Sequence, residues 1–300
     1  MIRVFHSDSY PLPLPPGHRF PTPKYRLLRE RLLADGTIRE EDFTPSGVID
    51  LDALLLVHEP AYVEAVVGGG LTEAEVRRLG FPWSEALVRR SRASVSGTVA
   101  AAREALCNGI AGNLAGGTHH AFADHGEGYC VFNDHAVAVR LLQLEGRIER
   151  AAIVDLDVHQ GNGTAAIFAA DDSVFTFSMH GARNYPFHKQ RSSLDLELPD
   201  GCEDAEYLAL LARHLPAVLD ASRADLLLYQ GGVDPLAEDA LGRLRLTHQG
   251  LRARDRLVLA AARDRGLPVV LTLGGGYAKP IEASVEAHCG TYREAKAAFA

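Results

Sequence analysis

The stretch 151–163 reads AAIVDLDVHQGNG. It opens as a continuous apolar run and closes on carboxylates, an imidazole and glycines. An apolar run of this length bounded by turn residues reads as a strand covered on both faces. Further runs have the same form: IRVFH near the start, then SVFTFSM, ADLLLYQGG and LPVVLTLGGG. Between them lie helical patterns at 24–34, 58–67, 85–106, 134–145, 204–219 and 248–265. Strands alternating with helices at this spacing predict βα units and a parallel sheet, hence one three-layer α/β/α domain over residues 1–300. The Pro-rich PLPLPPGHRFP at 11–21 reads as a stiff loop after a first strand. No internal repeat or linker divides the chain.

Composition narrows the function. The chain has 300 residues, 47% of them hydrophobic, enough for a large core. Its net charge is −8 and it has no block of Lys or Arg, so nucleic acid is not an expected partner. No apolar run is long enough to span a bilayer, and the N-terminal apolar run is too short for a signal peptide. Cys107, Cys130, Cys202 and Cys289 form no CxxC pair, which fits a reducing compartment. A cytoplasmic location is the expectation.

In parallel sheets, ligands sit beyond the carboxyl ends of the strands. Polar residues gather at such ends four times: GGTHH after NLA, DVHQGNG after AIVDL, GGVD after LLLYQ and GGGY after VVLTL. Along an extended chain Asp155, Asp157 and His159 share a side, and Val154, Leu156 and Val158 share the other. Buried carboxylates need a positive partner, and no Lys or Arg is near in sequence. A divalent cation bound by Asp157 and His159 meets that need, and this donor set suits Zn²⁺ or Fe²⁺. Asp234, preceded by Gly231 and Gly232, is the best third ligand; Asp155 is better placed to orient an imidazole. The plainer alternative makes the aspartates caps of a following helix. His119 and His120 are expected to point to opposite sides of an extended segment, so that one holds a water. Tyr277 is placed to donate to a developing oxyanion. His58 and His248 read as structural, and His18, His125, His180 and His188 are left without a role.

The ordered set GGTHH, GYCVFND, DLDVHQGNGT, GGVDPL and LGGGY resembles the zinc-dependent histone deacetylase superfamily, which includes acetoin-utilisation proteins and acetylpolyamine amidohydrolases. The resemblance covers roughly 4–283. The HRFP loop and GFPWSEALVRRS look most like the class IV branch and its bacterial relatives. It implies an arginase–deacetylase fold with a mainly parallel eight-stranded sheet. It implies Zn²⁺ on Asp157, His159 and Asp234, His120 as general base, His119 as its electrostatic partner and possible acid, and Asp155 orienting His119. Tyr277 would polarise an amide carbonyl. Gly128 and Tyr129, with Tyr185 or Phe187 opposite, and Gly275 would line an acyl-lysine channel. A structural K⁺ is implied at Asp155, Asp157, His159, Ser178 and Met179. Asn162 departs from the Asp of many members; a neutral amide still accepts a hydrogen bond from the second histidine but raises its basicity less.

The expected activity is metal-dependent removal of acetyl or longer acyl groups from acyl-lysine or a related acylated amine. Two rivals remain. One is a two-manganese arginase-like ureohydrolase, disfavoured because Asn162 and Leu236 stand where extra carboxylates are wanted. The other is a module that binds acyl-lysine without hydrolysis. Substrate, acyl length and oligomeric state are not read from the sequence.

Overall fold

The computed structural model describes residues 2–299. Eight strands form one sheet: β1 (Arg3–His6), β2 (Phe43–Pro45), β3 (Ile110–Asn113), β4 (Ala151–Asp155), β5 (Val174–Gly181), β6 (Leu194–Leu198), β7 (Leu226–Gln230) and β8 (Val269–Thr272). The order is β2-β1-β3-β8-β7-β4-β5-β6, and every pairing is parallel. The helices are α1 (Pro23–Ala34), α2 (Leu51–Leu54), α3 (Pro60–Gly68), α4 (Glu73–Leu79), α5 (Glu85–Asn108), α6 (Asp134–Leu144), α7 (Asn162–Ile167), α8 (Asp204–Ser222), α9 (His248–Arg263) and α10 (Ile281–Phe299).

The period of two along each strand divides the core between two faces. On β4, Ala152 and Val154 join one apolar cluster, while Ala151 and Ile153 join the other. On β7 the split is Leu227 and Tyr229 against Leu226 and Leu228. The first cluster is completed by residues of α1, α8, α9 and α10, such as Leu28, Leu211, Val258 and Tyr292. The second is completed by α3, α5 and α6, through Val63, Val99 and Val139 among others. This is the expected three-layer α/β/α arrangement.

The elements that escaped sequence reading have physical reasons. β2 ends on a proline at one edge of the sheet, where no further ladder is needed. The other edge, β6, reads LDLEL and is mostly half-exposed. α10 buries Ser284, His288, Gly290, Thr291 and Glu294, which blunts its apolar periodicity. Among the predicted helices the shifts are confined to the ends.

β3, β8, β7 and β4 are neighbours in the middle of the sheet. They are the four strands whose carboxyl ends carry the polar motifs, so distant parts of the chain meet above the centre of the molecule.

Candidate metal centre and its cavity

β4 stops at Asp155, and the chain then turns upon its own carboxylates. Asp155 Oδ1 accepts from the Asp157 backbone N–H at 3.1 Å, and Asp157 Oδ1 from that of His159 at 3.0 Å. The segment is therefore not extended through His159, as the sequence reading had it. The turn still brings Asp157 and His159 together, and Val158 N–H donates to Asp234 Oδ1 at 2.8 Å, tying this loop to the one after β7. The following helix α7 takes Gly161 as its N-cap with no side-chain cap, so the aspartates do not serve as its caps.

Asp157, His159 and Asp234 are buried, and one ligand atom from each lies within 4.8 Å of the others. His159 Nδ1 is 3.0 Å from both Asp157 Oδ1 and Asp234 Oδ2. One ring proton cannot serve both, and Asp234 Oδ2 receives no aligned hydrogen bond. Burial and the charge of Asp157 push the Asp234 carboxyl up to about 7. Burial opposes a charged His159, yet hydrogen bonding to Asp157 and the charge of Asp234 push its pKa up to about 10. Two carboxylates and an imidazole this close draw positive charge into the space between them, the electrostatics of a cation-binding donor set. The oxygen and nitrogen donors fit a divalent metal. The backbone fits too. Gly275 N–H donates to Asp157 Oδ2 at 2.7 Å, and a Cβ on Gly275 would overlap Asp234 Oδ2.

His119 and His120 lie side by side, their ring centroids 4.1 Å apart, rather than on opposite sides of the chain. The reason is Asp134, whose carboxylate accepts from the N–H groups of Gly117 (3.0 Å) and Thr118 (2.7 Å) and folds GGTHH into a turn. The two rings have different supports. His119 Nδ1 is 2.6 Å from Asp155 Oδ2, and the Gln230 amide nitrogen is 2.8 Å from the same atom. His120 Nδ1 is 2.7 Å from Asn162 Oδ1, and Asn162 Nδ2 donates to Glu127 at 2.6 Å. That second bond fixes the Asn162 amide, so His120 Nδ1 carries the proton and its Nε2 keeps a lone pair. Burial works against a charged His119, but the Asp155 and Asp157 carboxylates raise its pKa. Burial and the positive neighbours His119 and His159 hold His120 well below the usual imidazole range. Adjacent imidazoles are thus pushed apart in basicity, the pattern of paired acid and base groups.

A cavity of ≈ 770 Å³ opens above these groups, and Gly128, Tyr129, Tyr185, Phe187, Gly275 and Tyr277 are among its lining. Tyr185 stands edge-on to His120, with centroids 4.9 Å apart. Phe187 is 81% exposed at the mouth. Gly128 (φ 56) and Tyr129 (φ 68) are both left-handed, and a Cβ on Gly128 would strike the His120 ring. Tyr129 packs near Phe20, Phe81 and Tyr277. The Tyr277 backbone N–H donates to Asp239 Oδ2 at 2.6 Å. Burial and the nearby charges, Asp157 and Asp234 among them, keep its hydroxyl protonated.

Four supporting residues were missed in the sequence. Lys24, 1% exposed on α1, donates Nζ to Gly274 O at 3.2 Å and lies 5.3 Å from the Tyr277 ring centroid. Burial brings its pKa down to about 8 against the pull of Asp234 and Asp157. Asp239 accepts from Tyr277, Leu241 and Gly242. Gln230 closes β7 beneath His119. Arg254, 0% exposed on α9, donates Nη1 to Gly232 O (2.5 Å) and Leu156 O (3.2 Å), and Nε and Nη2 to Asp255 Oδ1 (2.9 and 2.8 Å). It joins the two loops that bear the candidate ligands. No periodicity marks a charged residue that a helix turns inward, so Lys24 and Arg254 did not stand out, and Gln230 and Asp239 read as an ordinary strand end and loop residue.

The remaining histidines divide simply. His58 is buried, bonded to Phe122 O and to Asn133 N–H. His18 bonds Gly80 O and stacks on Phe81. His180 meets Ser178 Oγ at 2.9 Å. Ser178 is paired with Asp155 across β4 and β5, with Met179 next along β5.

An all-parallel sheet whose central strand ends gather an Asp–His–Asp cluster beside two histidines is the framework of a hydrolase with a metal site. The sequence matches the Histone deacetylase domain over residues 18–292. It is 49% identical over 293 residues to an uncharacterized protein of Picosynechococcus sp., covering 98% of this chain and 97% of that one. It is 31% identical over 292 residues to Histone deacetylase 2 of Arabidopsis thaliana, covering 93% and 75%. The crystal structure of an HDAC homolog complexed with SAHA superposes with a TM-score of 0.85 at 27% identity, covering 99% and 84%. The chain belongs to the histone deacetylase family, a family of deacetylase hydrolases. Among the described residues no helix is long and apolar enough to cross a membrane.

Proposed function

We propose that this protein is a one-metal amidohydrolase that removes acetyl or longer acyl groups from the side-chain nitrogen of lysine or from a related amine. The observation that carries the reading is the convergence of Asp157, His159 and Asp234 beside two histidines of opposed basicity, with Asp157, His159 and both of those histidines lining one cavity. When bound by these three residues, Zn²⁺ or Fe²⁺ supplies Lewis acidity, which polarises an amide carbonyl and acidifies water. His120, its Nδ1–H fixed by Asn162, takes the proton of the attacking water on Nε2. His119, kept protonated by Asp155, gives its proton to the leaving amine as the C–N bond breaks, and the proton that His120 took from water passes to His119 to restore the pair. The Tyr277 hydroxyl donates to the amide oxygen as negative charge builds there. Gly128, Tyr129, Tyr185, Phe187 and Gly275 shape the passage for the acyl-lysine stem. K⁺ at Asp155, Asp157, His159, Ser178 and Met179 is part of the same reading and is supported by the Asp155–Ser178 register. The whole chain works as one catalytic domain.

A single three-residue cluster among the described residues supports one-metal over two-metal chemistry, since the latter needs further carboxylates. The test is a fluorogenic acetyl-lysine peptide assayed with and without chelator. Turnover lost with chelator and restored by zinc is expected. Tight peptide binding with no turnover in any metal form would leave a binding module instead.

A further inference from the structure

The mouth of the cavity has a charge opposite to that of the protein. The chain is acidic, at −8. Yet the cavity lining includes Arg19, Arg77, Arg78, Arg183 and Arg243, and its one carboxylate is Asp157, at the candidate metal centre. All five arginines are exposed. They come from separate places: the Pro-rich loop, the end of α4, the loop after β5 and the loop after β7. Compensation is thin. Arg77 meets Glu73 at 3.4 Å, both well exposed. Arg183 and Arg243 share Asp200, at 3.8 and 3.0 Å. The side chains of Arg19 and Arg78 enter no ion pair or hydrogen bond among the described residues. Glu75, the carboxylate that feels the Arg78 charge, is engaged by Thr72. Glu127, beside the channel, is engaged by Asn162.

Five guanidiniums matched by two carboxylates, Glu73 and Asp200, make a positive collar around the entrance. Such a collar concentrates anions and repels cations before any close contact forms. Guanidinium is also the side chain best matched to carboxylate and phosphate oxygens.

From this collar we infer that the substrate is an acylated amine bearing negative charge close to the acylated nitrogen, either an acyl-lysine flanked by carboxylates or phosphates or a small anionic acylamine. The inference rests on the deacylase reading and names its substrate class. Polyamines and Lys/Arg-rich segments are disfavoured. Each exposed pair shifts recognition by about two- to fivefold, and several acting together by about ten- to a hundredfold at low salt.

The experiment compares acetyl-lysine peptides flanked by Glu, by Ser and by Lys, with Nα-succinyl-Nε-acetyl-lysine and N-acetylputrescine as small substrates, on the zinc-loaded protein. The expected order of kcat/KM is acidic over neutral over basic, by about tenfold a step, shrinking below about threefold in high salt. The double variant R78E/R243E should reverse the order. A succinylated acetyl-lysine turned over as well as the acidic peptide places the substrate among small molecules; turnover of the acidic peptide alone places it in a protein. Equal rates at low salt, or a preference for the basic peptide or for N-acetylputrescine, overturns the inference. If no substrate is hydrolysed, the deacylase reading fails by itself. Anisotropy of rhodamine-labelled forms of the three peptides then reads the charge preference without turnover, and any order other than acidic, neutral, basic overturns it.

Discussion

Arg254→Met isolates the clamp beneath the candidate metal centre. In the native protein the guanidinium is fully buried, satisfies the carbonyls of Leu156 and Gly232, and neutralises Asp255. The variant keeps the volume but strands Asp255 with only the hydroxyls of Tyr229 (2.5 Å) and Thr291 (2.6 Å). Breaking one half of a buried ion pair costs about 3–5 kcal/mol. For a chain of this size that corresponds to a fall in Tm of roughly 5–8 °C. The two freed carbonyls directly precede Asp157 and lie two residues before Asp234, so both ligands loosen. Zinc affinity should fall about 10- to 100-fold, as it does when outer partners of metal ligands are removed. At equal free zinc the stabilisation by metal then shrinks by about 1.4–2.7 kcal/mol. The assay is thermal unfolding by circular dichroism with EDTA and with excess zinc, together with zinc competition against a chromophoric chelator. R254M/D255L, which removes both charges, should regain much of the EDTA-state Tm without regaining zinc affinity, because the carbonyls remain unclamped. An R254M protein within about 2 °C of wild type, or one with unaltered zinc affinity, refutes the clamp.

Tyr277→Phe should retain metal and Tm while kcat falls about 10²–10³-fold; a kcat near that of wild type removes the hydroxyl from the mechanism. Asp234→Ala should come through dialysis with no bound zinc by elemental analysis, and stoichiometric zinc in that variant contradicts the ligand assignment. Burial lowers the pKa of His58 from 6.5 to about 4. A depressed folded pKa gives stability that is complete above the unfolded value and is lost as pH falls through 6.5 towards 4. Unfolding free energies from urea titrations should drop over that window by up to about 3 kcal/mol more in the wild type than in His58→Gln; parallel curves would show that His58 is not the group responsible.

The central strands were readable because their apolar runs are uninterrupted and their helices are amphipathic. The four polar strand ends were readable because carboxylates and histidines are costly in a core, so their presence after Val and Leu had to have a use. What the sequence hid is what periodicity cannot encode. Asp157 and His159 were expected on a continuing strand; hydrogen bonds from their own backbone turned the chain instead. The histidine pair was expected to diverge, and a carboxylate from α6 folded it together. Arg254 and Lys24 sit in helices rich in Arg, where one more charge reads as solvent-facing. Thr72 and Glu75 carried a legible capping box for α4 that went unused.

The sheet order sets a timetable for biosynthesis. β7 lies between β4 and β8, although seventy residues separate its start from the end of β4 along the chain. A nascent polypeptide emerging amino end first therefore has Asp157 and His159 outside the ribosome well before Asp234, and Tyr277 last of all. Cation capture belongs to the closing stage of synthesis, and fragments ending before β7 should have no tight zinc site.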